Sequence, residues 1–411
     1  MRPFHFLILI LTAVFINSPV QAADLEAADK KWQQTLRDGV DALDTNRYWI
    51  AEPTLKSAVV EAGKFGIEDL RLAKSLGELG RLYTIRGRFD LAEPLLEEEL
   101  HIKQEVLDEE GDQLVPAMGS MIKFYVNHGT KEKAEPLTNQ MLEIVEGKIR
   151  ETSNKPKTNV SKVDGKIVLE AWAGVAAQTA REPLLEWAIT CDSVANAYFA
   201  EKKFDIAERL YKAALEVKET VYGKTHLSLA NSYDSLGGLA LAKNDLFTAE
   251  SHLRDAYEMS SKILGKSNPV VYGRLDKLAK CLILAGKRAE AEQIYVAAQS
   301  LWKNAPSKTG DDIRACYALG NLYCEDKNYV AAEPLLKKAM VSAEEFYGPS
   351  SQSVVPYIQR YAYVLYYLGR KPESDEFKAR ASVINGGDFI AENSKASTES
   401  GSDAKILNKG L

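Results

Sequence analysis

AEPLL stands at residues 92–96 and again, letter for letter, at 332–336, with near copies AEPTL at 51–55 and AEPLT at 134–138. Marking the alanine of every such phrase gives Ala51, Ala92, Ala134, Ala207, Ala249, Ala291 and Ala332, with Ser374 in the same place before Asp375-Glu376. The intervals are 41, 42, 73, 42, 42, 41 and 42, so six of the seven lie within one residue of 42. A fixed period of that size is the mark of stacked supersecondary units, each of which buries its apolar face only against its neighbours.

Each unit reads as two helices. In repeat two, Leu76, Leu79, Gly80 and Tyr83 recur at three- and four-residue steps and share one helical face. Gly87 marks a tight turn, and Phe89, Ala92 and Leu96 begin a second face. The same places hold Cys191, Val194, Ala195, Tyr198, Phe204, Ala207, Tyr211 and Ala214 in repeat four, and Cys316, Leu319, Gly320, Tyr323, Tyr329, Ala332, Leu336 and Ala339 in repeat seven. Small residues are expected where helix axes come closest, and rings or leucines beside them. The prolines (Pro53, Pro94, Pro136, Pro334) are expected in or just beyond the first turn of the second helix, where a missing amide costs little. The acid before each proline is expected to favour the positive end of the helix dipole. Gly223, Gly265 and Gly348, each sixteen residues after its repeat's alanine, are expected to close helices in a left-handed conformation.

Small residue, aromatic, turn and alanine in a helical pair resemble the tetratricopeptide repeat. The period, the AEPLL opening and the linkers Gly223 to His226 and Gly265 to Pro269 are similar to the kinesin-light-chain variety. The resemblance covers about residues 32–381. It implies an all-α, right-handed superhelical solenoid of about eight antiparallel helix pairs. Such repeats serve many unrelated assemblies, so the fold does not fix the job.

The organisation expected is a signal peptide at 1–22, a three-repeat arm at 23–149, an insertion at 150–183, a five-repeat arm at 184–381 and a disordered polar tail at 382–411. The start, MRPFHFLILILTAVFINSPVQA, runs from Arg2 through an apolar stretch, Phe6 to Ile16, to small residues before a cut after Ala22. That stretch is far below the roughly 20 residues of a membrane span. No stable membrane insertion is expected after cleavage, and the compartment is periplasmic or extracellular. The insertion comprises RETSNKPKTNVSKVDGK (150–166), read as an exposed loop, and IVLEAWAGVAAQTA (167–180), read as an added helix or, alternatively, as part of a degenerate repeat. The tail lacks the apolar residues needed to pack.

Composition narrows the function. Apolar residues at 45% and charged residues at 27% fit a folded chain. Net charge is −6, and loss of Arg2 makes it −7, so no global positive field draws nucleic acid. Cys191, Cys281, Cys316 and Cys324 lack a CxxC spacing and are expected as buried free thiols. His101, His128, His226 and His252 are scattered and are expected in surface or linker positions. No phosphate loop, HExxH, GxSxG or metal-ligand spacing occurs, so no catalytic, cofactor-binding or metal-binding residue is assigned, no cofactor is expected, and the chain is read as a non-enzyme.

A binding wall is assigned from the resemblance, in which the first helix of each pair lines the concave side. Fifteen residues before the repeat alanine lie Asp192, Asp234 and Asp276. Eleven before lie Asn196, Gly238 and Lys280, with Arg81, Lys123 and Asn321 in other repeats. Carboxylates and amides there suit the backbone of an extended peptide, and the cations suit its acidic side chains. Solvated charges bridging adjacent repeats would give the same pattern. In YIQRYAYVLYYLG (357–369), Tyr361 takes a core place whereas Tyr363, Tyr366 and Tyr367 fall on the concave face, as an aromatic anchor or as cover for the array's end. The expected partner is a protein or extended peptide. A structural or assembly protein acting through self-association or envelope docking is the alternative, and the oligomeric state stays open.

Overall fold

A computed structural model describes residues 22–107, 113–128, 130–154, 169–303 and 310–385, and among them the chain is all-helical, with sixteen α-helices and no strand. Two compact units divide it, Met1–Ile263 and Leu264–Leu411. Unit 1 holds α1 (Ala22–Asp44), α2 (Tyr48–Gly63), α3 (Leu70–Ile85), α4 (Phe89–Val106), α5 (Leu114–His128), α6 (Lys131–Asn154), α7 (Leu169–Ala200), α8 (Phe204–Tyr222), α9 (Leu227–Ala242) and α10 (Leu246–Leu264, whose last residue begins the next unit). Unit 2 holds α11 (Pro269–Leu284), α12 (Arg288–Lys303), α13 (Asp311–Glu325), α14 (Tyr329–Tyr347), α15 (Val355–Tyr367) and α16 (Lys371–Ile384). Within each unit helices pair with their chain neighbours and pack on the pair that follows, as α1 with α2 and α2 with α3, or α13 with α14 and α14 with α15, an arrangement of tetratricopeptide type. The stretch 167–180 does not stand as a separate helix: from Leu169 it runs on without a break into the first helix of repeat four. The N-terminal 21 residues, 155–168 and 386–411 lie outside the described residues, and with them the signal segment, most of the inserted loop and nearly all of the tail.

The landmark alanines are the closest-packed points. Ala51, Ala92, Ala207, Ala249, Ala291 and Ala332 are fully buried, Ala134 nearly so, and Ser374 is buried with its hydroxyl on the Ala362 carbonyl. Twelve residues before and four after each alanine, the two helices of a pair interlock by size. A Cβ at Gly39, Gly80, Gly237 or Gly320 would come within 2.7, 2.8, 2.7 and 2.6 Å of Leu55, Leu96, Leu253 and Leu336 respectively, closer than real Cβ atoms approach. Repeats four and six put Ala195 and Ala279 opposite Tyr211 and Tyr295, and repeat three reverses the sizes with Ile122 and Thr138. A small member on one helix faces a larger one on the other, although neither residue is fixed.

Turns within repeats share one device. Asn46, Gly87, Lys202, Asn244, Gly286, Lys327 and Gly369, all five residues before a landmark, have positive φ between 57° and 82°. The next amide reaches back five residues, as from Arg88 to the Tyr83 carbonyl (2.8 Å) and from Arg370 to that of Leu365 (2.9 Å), which closes a Schellman motif. Gly223 and Gly348 also have positive φ, but their ψ values of −163° and 144° are extended, not left-handed helical as expected. That region is open essentially to glycine alone.

The prolines lie just beyond the first turn, at the sixth residue of α2, α4, α6 and α14. Each therefore removes one real hydrogen bond, that to the carbonyl four residues back. Those residues are Trp49, Asp90, Glu132 and Val330, all exposed, so water takes the freed carbonyl. The adjoining acids act chiefly between repeats: Glu52 meets Arg86 (2.5 Å), Glu93 meets Lys133 (2.9 Å), Glu135 meets Lys203 (3.6 Å) and Glu333 meets Arg370 (2.5 Å). Tyr83 and Tyr323 donate to the same acid of the preceding repeat, Glu52 and Glu292. At this exposure each ion pair contributes about 0–1 kcal/mol, and their value is in register.

None of the four cysteines forms a disulfide, all four are buried, and burial pushes the Cys191 thiol up to about 12, far from a reactive thiolate. His128 is exposed and His226 stands in a linker, as expected, while His252 is half-buried, and all three make specific ring contacts. His226 caps α9, its Nδ1 accepting from the Ser228 amide (3.1 Å), and stacks on Tyr222. His128 stacks on Phe89 at 3.8 Å, and His252 is half-buried near Tyr233. Burial lowers the pKa of both His128 and His252 from the ordinary 6.5, so the unfolded chain binds more protons near and below that value. Stability is then full above about pH 6.5 and falls as pH drops through it. Between pH 7.5 and 5.5, the Tm of a His128→Gln/His252→Gln variant should fall less than that of the parent. Equal falls in thermal melts would count against this origin.

Candidate peptide-binding groove

Unit 1 opens a cleft of about 690 Å³ between α3 and α5, floored by Leu96, Glu99 and Lys103 of α4. Two residues assigned from sequence meet in it, Arg81 and Lys123. Arg81 is held by Glu78 (2.9 Å) and Asp44 (3.0 Å). Lys123 is half-buried, and its ammonium has no hydrogen-bonded or ion-paired partner among the described residues. Burial, and after it the Arg81 charge, holds Lys123 below the usual lysine range. An arriving anion relieves both, since it replaces lost hydration and offsets the neighbouring positive charge.

The floor carries an ion pair that sequence reading missed. Glu99 and Lys103 are paired at 2.6 Å with side chains only 10% and 8% exposed. Burial raises the Glu99 pKa against the opposing pull of Lys103. The carboxylate fits because Gly77 has no side chain: a Cβ there would coincide with it.

The aspartate row is partly spoken for. Asp192 Oδ2 accepts from Lys218, a buried lysine that also bonds the Ser232 hydroxyl (2.6 Å). Asp192 Oδ1 is buried and accepts no bond. One turn along α7, Asn196 is exposed and accepts from the Tyr211 hydroxyl (2.6 Å), which leaves its amide N–H groups pointing away from that bond. Asp234 is half-buried on α9.

In unit 2, Asp276, Lys280 and Asn321 come together in a second cleft of about 410 Å³ between α11 and α13. Asp276 accepts from Tyr295 (2.9 Å) and pairs with Lys280 (3.1 Å), while Asn321 accepts from Arg360 (2.5 Å). Tyr361 is buried, as its core place requires. Tyr363 and Tyr367 gather with Tyr329, the last two stacked at 4.8 Å, whereas Tyr366 lies under Lys371 and Lys378 of α16. All three assigned tyrosines are exposed by a third or more.

Residues 188–262 match one model of the tetratricopeptide repeat and residues 72–111 another, so these stretches are tetratricopeptide repeats. No curated protein matches the chain. Among solved structures, a putative kinesin light chain with nearly identical repeats from Podosopora anserina is 19% identical, with a TM-score of 0.40, covering 56% of this chain and 94% of that one. BtubC from P. vanneervenii is 18% identical, TM-score 0.37, covering 67% and 91%. A signal transduction ATPase with a tetratricopeptide sensor from Pyrococcus horikoshii is 14% identical, TM-score 0.48, covering 92% of this chain and 51% of that one. Likenesses this distant say nothing of what the chain binds.

Proposed function

We propose that this chain is an exported, non-catalytic scaffold that holds an extended segment of another protein against its first-helix wall. The observation that carries the reading is Lys123, a half-buried cation in the larger cleft, beside Arg81 and without a partner among the described residues. A lysine kept partly dry and unpaired costs stability, and the cost is recovered when an acidic group of a ligand arrives. Asn196, exposed and with its oxygen taken by the Tyr211 hydroxyl, adds amide donors for a peptide carbonyl on the same wall. Cleavage after Ala22 would deliver a mature chain beginning at Ala23, which N-terminal sequencing of the cell-derived protein reads directly.

A photocrosslinker placed at exposed Ser120, on the cleft, tests the wall in the native compartment. It should yield a discrete protein adduct that Lys123→Glu reduces at least about tenfold, the loss expected for reversing a charge at a partly desolvated contact. A crosslinker at exposed Glu216, on the opposite side of a second helix, should not yield that adduct. Equal adducts from both places, or indifference to Lys123→Glu, would refute the groove.

A further inference from the structure

Three positions exchange together between repeats two and four. Fifteen residues before the landmark alanine stand Gly77 and Asp192, seven after it Glu99 and Ala214, and eleven after it Lys103 and Lys218. In repeat four the lysine pairs with the carboxylate of the first helix, Asp192. In repeat two the first helix offers only a glycine, and the carboxylate comes from the second helix, reaching through the gap to lie where the Gly77 side chain would be. The lysine keeps its place in both. Two different sequences thus put one anion, held by one buried cation, at the same level of the wall. In repeat two that anion also lines the larger cleft, together with Lys123, which has no partner among the described residues.

We infer that Glu99, although it belongs to the second helix, is a ligand-contacting residue of the wall: held by Lys103, its carboxylate accepts a hydrogen bond from a main-chain N–H of the bound segment, next to the acidic group taken by Lys123. This rests on the groove reading above. Lys103 occupies one carboxylate oxygen, and an ionised carboxylate has acceptor sites beyond that single bond. The raised pKa of Glu99 is consistent with a carboxylate that has too few donors and gains from one more.

The probe is a library of decapeptides blocked at both ends, with aspartate fixed at the fifth position, captured on the full mature chain. The tightest member is then titrated by fluorescence anisotropy. Glu99→Leu/Lys103→Met replaces the pair by apolar groups, a change that keeps such sites folded. It should bind that peptide at least about tenfold more weakly. Gly77→Asp/Glu99→Ala transplants the repeat-four arrangement and should bind within about threefold of the parent, since donor and acceptor are restored at the same level. A folded Glu99→Leu/Lys103→Met variant that binds like the parent overturns the inference, as does a transplant no better than that variant. If Lys123→Glu leaves binding unchanged, or the parent retains no library member, the groove reading itself fails. Loss with Lys123→Glu but not with Glu99→Leu/Lys103→Met removes Glu99 alone.

Discussion

Gly80→Ile should destabilise unit 1 by about 3 kcal/mol, and adding Leu96→Thr should recover most of that loss, because overpacking a dense core costs about 1–3 kcal/mol and sometimes more. The Cβ alone would stand 2.8 Å from the Leu96 side chain, and the β-branched remainder has to enter space already filled. Neither helix can withdraw, since Ala92 beside the contact is fully buried and the pairs before and after hold theirs in place. The rescue copies repeat three, where the same two places hold Ile122 and Thr138, both buried. Thr138 there also bonds the Tyr198 hydroxyl at 2.7 Å, whereas Tyr125, the corresponding tyrosine for repeat two, already donates to Glu97 (3.0 Å), so the recovery should be incomplete. Urea denaturation followed by helical circular dichroism reads both changes. A double variant no more stable than Gly80→Ile would show that the limiting contact lies elsewhere.

That size exchange explains which parts of the molecule were legible in the sequence. Landmark alanines and the small-against-large pattern repeat at one period and depend on contacts within a pair, so aligning the chain with itself exposes them. The use of the acid in each Ala-Glu phrase did not show, because its partner lies in the following repeat and changes identity, from Arg86 to Lys133 to Lys203. A dipole argument accounted for the acid locally and missed the bridge. That each proline costs a real hydrogen bond did not show for a similar reason: the helix start is set by the turn residue of positive φ, and asparagine, lysine and glycine all serve there.

The wall was legible in outline only. Arg81 with Lys123, and Asp276 with Lys280 and Asn321, were assigned by counting and do share clefts. Glu99 and Lys103 escaped because the counting rule admits first-helix residues alone. What could have found them is the triple exchange of Gly77, Glu99 and Lys103 against Asp192, Ala214 and Lys218, visible to anyone comparing repeats at three places at once. Asp192, assigned to a row of carboxylates, has one oxygen committed to Lys218 and the other buried without a hydrogen bond.

The Lys218 pair carries the second large effect. Lys218→Met removes the cation that Asp192 and Ser232 share and leaves a carboxylate whose side chain is only 28% exposed. Stranding one member of a fully buried pair costs about 3–5 kcal/mol, and the partial exposure of Asp192 brings the expected loss to about 2–3 kcal/mol. Asp192→Asn on that background should return most of it, because a neutral amide in the same place need not be charged to stay. The pH dependence separates this cause from lost packing. Burial already raises the Asp192 pKa above the ordinary carboxylate range, and without Lys218 nothing pulls it back. A carboxyl that binds its proton more tightly in the folded chain gives stability that is full below its unfolded pKa and is lost as pH rises through the folded value. The deficit of Lys218→Met relative to the parent should therefore be small near pH 4 and grow towards pH 7, whereas a packing defect of the methionine would be the same at both. A deficit independent of pH would assign the loss to shape, and Asp192 would then be no more than a tolerated surface charge.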